Sequence, residues 1–251
     1  MRLPAIIASI LGIAALAALF ALGSCSGGGD AELPKGEPIA KVAAPAGKQW
    51  TEVISKTEKG YQIGNPQAKL HLVEYGAISC PVCAQFSVQS TPELMAMVDS
   101  GQILFEFRPF LVHGLQDVPG FLLAQCNGAE SFFGLSEALY ANQETWLGRL
   151  RGITPEEGDA IQKMKPEDAT AALAARFQLV DFVKTLGVSE DNAKKCLTDK
   201  AAFDKLQQST QQTMSEGKVS GTPTFFINDA KVEGITAWPQ LKAKLQEAGA
   251  R

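Results

Sequence analysis

The chain has 251 residues, 45% of them hydrophobic and 20% charged, with a formal net charge of -4. That length allows one domain with an insertion, or two small domains, and is enough to bury a sizeable core. So mild a charge offers no basic surface for nucleic acid and no acidic tail, which excludes nucleic-acid binding as a main function.

Arg2 precedes an apolar stretch from Ala5 to Leu22, followed by Leu22-Gly23-Ser24-Cys25 and then Ser26-Gly27-Gly28-Gly29. A basic residue, an apolar run and small residues before a cut site make a secretory signal peptide of residues 1–24. Leu-Gly-Ser-Cys resembles the bacterial lipobox, which makes Cys25 the lipidated first residue of the mature protein. The alternative is an uncleaved anchor, since about 18 apolar residues can just span a bilayer. A cysteine directly after small residues and before a Ser/Gly tract favours the lipoprotein. Either reading exports the rest of the chain and ties it to a membrane. Residues 25–48, rich in Gly, Pro, Ala and Lys without an apolar period, read as a flexible tether. Residues 49–251 form the folded domain.

Trp50, Val53, Ile54, Tyr61 and Ile63 suggest extended pieces around a turn at Lys59-Gly60. Lys69 to Tyr75 is the central strand, with Glu74 as its conspicuous charge. Cys80-Pro81-Val82-Cys83 follows, opening a helix that Thr91-Pro92-Glu93 restarts or kinks. Ile103 to Arg108 is a second strand, stopped by Pro109. From about 110 to 217 no convincing strand occurs. Phe121 to Cys126 and Phe132 to Tyr140 carry helical spacing, and Thr154-Pro155-Glu156-Glu157 is a capped helix start. Ala169 to Leu186 reads as one helix ending at Gly187. Ser189 caps a short helix holding Cys196, and Ala201 to Glu216 is a further helix. Thr224 to Ile227 and Ala230 to Val232 flank Asn228-Asp229, a hairpin signal. Trp238 to Ala248 closes the chain as an amphipathic helix.

Two cysteines two residues apart at a strand-to-helix junction point to a redox site. Cys80 sits at the helix N-terminus, where unpaired N–H groups and the macrodipole stabilise a thiolate. Cys83, one turn on, can close a small ring and expel a bound partner. Cys80 is therefore the expected exposed nucleophile and Cys83 the buried resolving thiol. The other readings are half of a zinc site or a structural bridge. Zinc needs further ligands at matching spacing, but Cys126 and Cys196 stand alone and the two histidines, His71 and His113, are isolated. Neither histidine is assigned a role, and no metal or cofactor is expected. With Cys25 used elsewhere, four cysteines allow three connectivities. Adjacency favours Cys80–Cys83 and leaves Cys126–Cys196, the alternative being two unpaired buried thiols. A bridge closing a loop of about 70 residues contributes ~3–4 kcal/mol on the chain-entropy model, and persists only in an oxidising compartment.

The order strand, Cys-x-x-Cys helix, strand, helical block, Gly-Thr-Pro, hairpin, helix resembles the thioredoxin fold with an inserted helical domain. It is similar to the DsbA-type thiol:disulfide oxidoreductases of the bacterial cell envelope, from about Trp50 onward. Val73-Glu74-Tyr75-Gly76 leading into Cys80-Pro81-Val82-Cys83 carries the resemblance, together with Val219-Ser220-Gly221-Thr222-Pro223-Thr224-Phe225-Phe226. The resemblance implies an α/β thioredoxin-like fold whose all-helical insertion lies between the second active-site-side strand and the cis-proline hairpin. It implies that Pro223 is cis against the cysteines. Thr222 and Pro223, with Pro81 and Val82, would bind substrate, the backbone of Thr222 pairing with an extended strand. It makes Glu74 a buried acid relaying protons for the resolving thiol. It also fits a second disulfide, Cys126–Cys196, in the insertion. One departure stands out: strongly oxidising members carry Pro-His between the cysteines, and this chain carries Pro-Val. Without that histidine the Cys80 pKa should be less depressed and the disulfide a weaker oxidant.

The expected function is that of a periplasmic enzyme, membrane-anchored as a lipoprotein. It would exchange disulfides with exported, unfolded or partly folded proteins bearing cysteines, as a disulfide donor. It would act as a monomer, served by a membrane redox partner. One alternative is an isomerase or reductase kept reduced by a membrane donor. Another is a non-catalytic lipoprotein presenting a peptide groove.

Overall fold

The computed structural model describes residues 32–251. The expected signal peptide and Cys25 lie outside the described residues. The strands are β1 (Ile54–Lys56), β2 (Tyr61–Gly64), β3 (Leu70–Gly76), β4 (Ile103–Pro109), β5 (Thr224–Ile227) and β6 (Ala230–Val232). They form one sheet in the order β1-β2-β4-β3-β5-β6. Only β3 and β4 pair in parallel. A parallel pair needs a crossover, and helix α1 (Pro81–Asp99) supplies it.

Strand β3 lies inside the sheet with both faces covered, which is why it reads as a nearly continuous apolar run. Leu70 and Leu72 join the main core with Phe105 and Phe225, while Val73 and Tyr75 point the other way, toward Phe110, Val219 and Phe226. Side chains alternate along a strand. Glu74 therefore shares the face of Leu72 and enters the main core, where it is 4% exposed.

Between β4 and β5 the described chain contains no strand. It forms α2 (Val118–Ala124), α3 (Phe132–Ala141), α4 (Gln143–Leu147), α5 (Pro155–Gln162), α6 (Pro166–Phe177), α7 (Leu179–Lys184), α8 (Glu190–Leu197) and α9 (Lys200–Ser215), with α10 (Trp238–Glu247) closing the chain. Thr154 and Glu157 form a reciprocal capping box on α5, and Ser189 caps α8. The β5–β6 turn places Asn228 and Asp229 at φ 49° and 67°, as a two-residue hairpin loop requires.

Three local expectations change. Helix α1 runs unbroken through Pro92. Proline cannot donate to the Val88 carbonyl one turn back, and beside it the Thr91 hydroxyl donates to the Ser87 carbonyl at 2.8 Å, adding a side-chain bond to that turn. The helix expected from Ala169 to Leu186 breaks instead at Gln178, whose φ is 57°. Arg149, from the loop after α4, bonds both the Phe177 carbonyl and the Gln178 side chain, fixing that end from outside. The third change concerns the tether. Its Gly36, Ile39 and Val42 N–H groups donate to Glu247, Gly249 and Ser100 carbonyls at 3.2, 2.8 and 2.9 Å. This stretch is a strap across the ends of α1 and α10. Gly101 admits it, since a Cβ there would stand 2.4 Å from the Val42 oxygen. Among the described residues no helix is long and apolar enough to cross a membrane.

Candidate active site

Strand β3 ends at Gly76, where any side chain would collide with the Phe107 ring. The loop Ala77-Ile78-Ser79 then turns the chain into α1, and Cys80 is the N-cap. Its Sγ accepts a hydrogen bond from the Cys83 N–H at 3.4 Å. Pro81 occupies the first helical position, where a missing N–H costs nothing. Cys80 is 6% exposed and Cys83 fully buried, both as free thiols. The nucleophile expected to be exposed is thus largely covered. The exposed residues beside it are Pro81 and Val82, the latter 41% open to solvent.

The Thr222–Pro223 peptide is cis. It brings the segment before β5 against the dithiol, where the Cys80 thiol donates to the Thr222 carbonyl at 3.4 Å. Pro223 is buried and Thr222 half-buried. Hydrogen bonding with the Cys83 side chain outweighs burial and, with the Thr222 side chain and the Val82 and Cys83 N–H groups, brings Cys80 down to about 5. Burial pushes Cys83 well above the usual thiol range, and Glu74 and Cys80 nearby push it the same way. Burial also lifts the Glu74 carboxyl to about 8, with a contribution from Cys80. Such a site pairs an acidic thiol, ionised at neutral pH, with a buried thiol that stays protonated beside a carboxyl able to exchange its proton.

The insertion grips this loop through residues that carry no signal in the sequence. Gln143 donates its amide to the Ile78 and Cys80 carbonyls at 2.9 and 3.0 Å, and the Tyr140 hydroxyl donates to the Ala77 carbonyl at 3.2 Å. The Ser79 N–H and hydroxyl both donate to buried Asp117, at 2.9 and 2.7 Å. Burial raises the Asp117 carboxyl, and these bonds oppose that rise. A carboxylate only accepts, so the Ser79 hydroxyl spends its proton on Asp117, and His113 Nδ1, 2.7 Å away, is the donor to Ser79. His113 thus belongs to the frame of the site. His71 lies elsewhere, on the opposite sheet face, 3.0 Å from Glu106.

Cys126 and Cys196 are joined, 70 residues apart, tying the end of α2 to α8 within the insertion. They stand apart from the dithiol and its hydrogen bonds. A cavity of about 320 Å³ between Lys56–Tyr61 and the start of α9 contains none of the dithiol residues. Among the described residues no cluster of His, Cys, Asp and Glu gathers as metal ligands do.

A sheet of this order, with a dithiol opening its crossover helix and a cis-proline facing it, defines a thioredoxin-fold protein with a helical insertion. The chain belongs to the thioredoxin family: the family model described as thioredoxin matches residues 56–247. It is 26% identical over 194 residues to a provisionally named protein-disulfide oxidoreductase of Rickettsia bellii, covering 76% of this chain and 66% of that protein. A Rickettsia typhi relative is matched over 61% of its length, so the chain spans less than two thirds of these curated relatives. The crystal structure of a protein-disulfide isomerase from Novosphingobium aromaticivorans superposes with TM-score 0.72 at 29% identity, covering 76% of this chain and 97% of that one. Wolbachia pipientis alpha-DsbA1 shares the fold with TM-score 0.60 at 18% identity, over 75% of this chain and 89% of that one.

Proposed function

We propose that this chain is a thiol:disulfide oxidoreductase that donates the Cys80–Cys83 disulfide to cysteine-bearing exported proteins. The arrangement of Cys80 carries the reading: a thiol at a helix N-cap, bonded by the Cys83 N–H and set against the Thr222 carbonyl. A substrate thiolate attacks Cys80 Sγ, and the disulfide breaks with the electron pair on Cys83. Cys83 takes a proton from Glu74. A second substrate thiolate then attacks the substrate sulfur of the mixed disulfide, and Cys80 leaves as a thiolate. An acidic thiol leaves readily and stabilises the reduced enzyme, which favours donation. Cys80 at about 5 falls between the ~7 of thioredoxin and the ~3.5 of a strong oxidant. That supports the donor reading despite the valine between the cysteines.

Thr222 would hold an extended substrate backbone, and Pro81, Val82 and Pro223 would form the surface around it. The leader read from the sequence and the Cys126–Cys196 bond, which an oxidising compartment maintains, support export. Cys25 would carry the lipid anchor in the periplasm, and a membrane oxidant would restore the disulfide. The second reading, an isomerase or reductase, is favoured by the likeness to the Novosphingobium isomerase.

Two measurements test this. Cys80→Ser should lose all exchange activity, and normal activity in that variant would sink the proposal. Equilibration in glutathione buffers separates the two directions. A potential near -120 mV marks a donor and one near -270 mV a reductant, approximate values for DsbA and thioredoxin.

A further inference from the structure

Glu74 is buried on the core face of β3 and has no direct route to water. Its Oε1 lacks any hydrogen-bond partner, and so does the Ser136 hydroxyl on α3, both fully enclosed. The two line one cavity of about 30 Å³, which also borders Ser90, Thr91 and Glu137 among aromatic walls. Left dry, each orphan is destabilising, because a buried polar atom without a partner keeps its full desolvation cost. A void of this size has room for about one water, and although its walls are mostly apolar these two polar atoms give that water partners. Glu137, next in sequence to Ser136, is half-buried and reaches toward solvent. Burial raises its carboxyl above the usual range.

We propose that this cavity is a water-filled proton conduit, and that Ser136 and Glu137 of the insertion connect Glu74 to solvent through it. Both are positioning residues, because they act through Glu74 and touch neither sulfur. Ser87 of α1 also borders the cavity and is half-buried, but no other titratable group facing Glu74 offers a rival route. Cys80 and Cys83 come from α1, and β4 and β5 present Phe107 and Phe225. Tyr140, from α3, already donates its proton to Ala77, and burial raises its pKa beyond use. Asp117, the remaining acid acting on Tyr140, is engaged by Ser79 and His113. The cavity lining includes no basic side chain.

The conduit has a defined task in the direction that closes the disulfide. Cys80 thiolate attacks a disulfide sulfur, one thiolate leaves with the electron pair, and a mixed disulfide forms on Cys80. Cys83 must then lose its proton, and Glu74 is the acceptor. With a carboxyl at about 8, Glu74 is itself protonated below that pH. It must first release that proton through the cavity water to Glu137 and solvent. The Cys83 thiolate then attacks Cys80 Sγ and the second thiolate leaves. The partner disulfide is reduced and Cys80–Cys83 is oxidised. In the donor direction the same proton enters by the same path.

The inference rests on the proposed role of Glu74, and the experiment separates the two. Reduced full-length protein is mixed with excess oxidised glutathione between pH 5 and 9, quenched in acid, and the glutathione adduct and closed disulfide are resolved by mass. Glu137→Gln and Ser136→Ala should form the adduct at the wild-type rate but resolve it about tenfold more slowly below pH 8, a modest share of the 10²–10⁴ typical of acid–base groups. The solvent isotope effect on that step should rise. Glu137→Asp should restore it, and the reduction potential of Glu137→Gln should match wild type. Glu74→Gln should be slower still, and the Glu74→Gln/Glu137→Gln pair no slower than Glu74→Gln alone, because the residues act in series. Wild-type resolution in both Glu137→Gln and Ser136→Ala, beside a slow Glu74→Gln, overturns the conduit and leaves the role of Glu74 standing. Wild-type resolution in Glu74→Gln overturns both.

Discussion

The two faces of the sheet each bury a glutamate, one residue out of register, and treat it in opposite ways. Glu74 on β3 pairs with Phe107, the neighbour of Glu106 on β4. Glu74 enters the main core with one oxygen unpartnered, and burial lifts it to about 8. Glu106, 3% exposed on the other face, feels burial as its largest influence too. There, hydrogen bonds from His71, Arg108 and Thr57 overcome it and bring the carboxyl to about 2. Burial alone does not decide the charge of an acid; the partners supplied with it do. One face stores a proton, and the other fixes a negative charge that ties β1–β2, β3 and β4 together.

The comparison breaks hardest at Arg108, whose guanidinium bonds Glu106 at 2.8 Å and the Tyr75 hydroxyl at 3.0 Å. Arg108→Met should destabilise the protein by about 3 kcal/mol, because a buried carboxylate loses its main counter-charge. Urea unfolding at pH 7 measures it, and Glu106→Gln in the same background should recover part of the loss. An unchanged urea midpoint in Arg108→Met would mean that the Glu106 charge is held by His71 and Thr57 alone.

The proton-storing face is sharpened by pH. In the oxidised protein Cys80 and Cys83 do not titrate, so Glu74 acts alone among the dithiol groups. Burial, the larger cause, still raises its folded pKa above the unfolded value of about 4.5, while the Cys80 contribution that helps lift it to about 8 in the reduced protein is gone, so the folded state holds the extra proton from about 4.5 to a limit below 8. Glu74 should then lower stability as pH rises through that window, by up to about 1.4 kcal/mol per unit. Glu74→Gln should abolish that slope. In the reduced protein Cys80 contributes the opposite sign. Its folded pKa is depressed to about 5 from 9.0, so it stabilises increasingly as pH rises between those values. The slopes overlap and nearly cancel in reduced wild type, and reduced Glu74→Gln should show the rising Cys80 slope unmasked. Equal pH profiles for oxidised wild type and Glu74→Gln would place the Glu74 pKa near that of an ordinary carboxyl.

Much of this was legible because it is local. Cys-x-x-Cys after an apolar strand, the Thr154 capping box and the Asn228-Asp229 turn each state their geometry within four residues. Glu74 could be placed by alternation, since it sits two residues from Leu72 in a strand apolar on both faces. Long-range partners were not legible. Nothing around Gln143 marks it as the residue that holds the Ile78 and Cys80 carbonyls. The tether composition hid a strap because its bonds are made by backbone, which every sequence has. The break at Gln178 comes from Arg149, nearly thirty residues earlier in the chain. Cys126 and Cys196 could be paired only by elimination or resemblance.

The smallest expected effect lies at Thr57, and it tests whether the charge-fixing face depends on its turn. The Thr57 hydroxyl donates to Glu106 Oε1 at 2.8 Å and accepts from the Gly60 and Lys59 N–H groups at 2.8 and 3.2 Å. One oxygen thus closes the β1–β2 turn and supplies the third partner of the buried carboxylate. Thr57→Val keeps the shape and removes all three bonds. Water can reach the turn donors, so the loss should be about 1–2 kcal/mol, mostly the bond to Glu106. That residue should then titrate at higher pH, and the acid limb of the stability curve should move upward with it. Thr57→Ser should restore both. If Thr57→Val costs stability equally at every pH, the hydroxyl serves the turn only, and His71 and Arg108 suffice to keep Glu106 ionised.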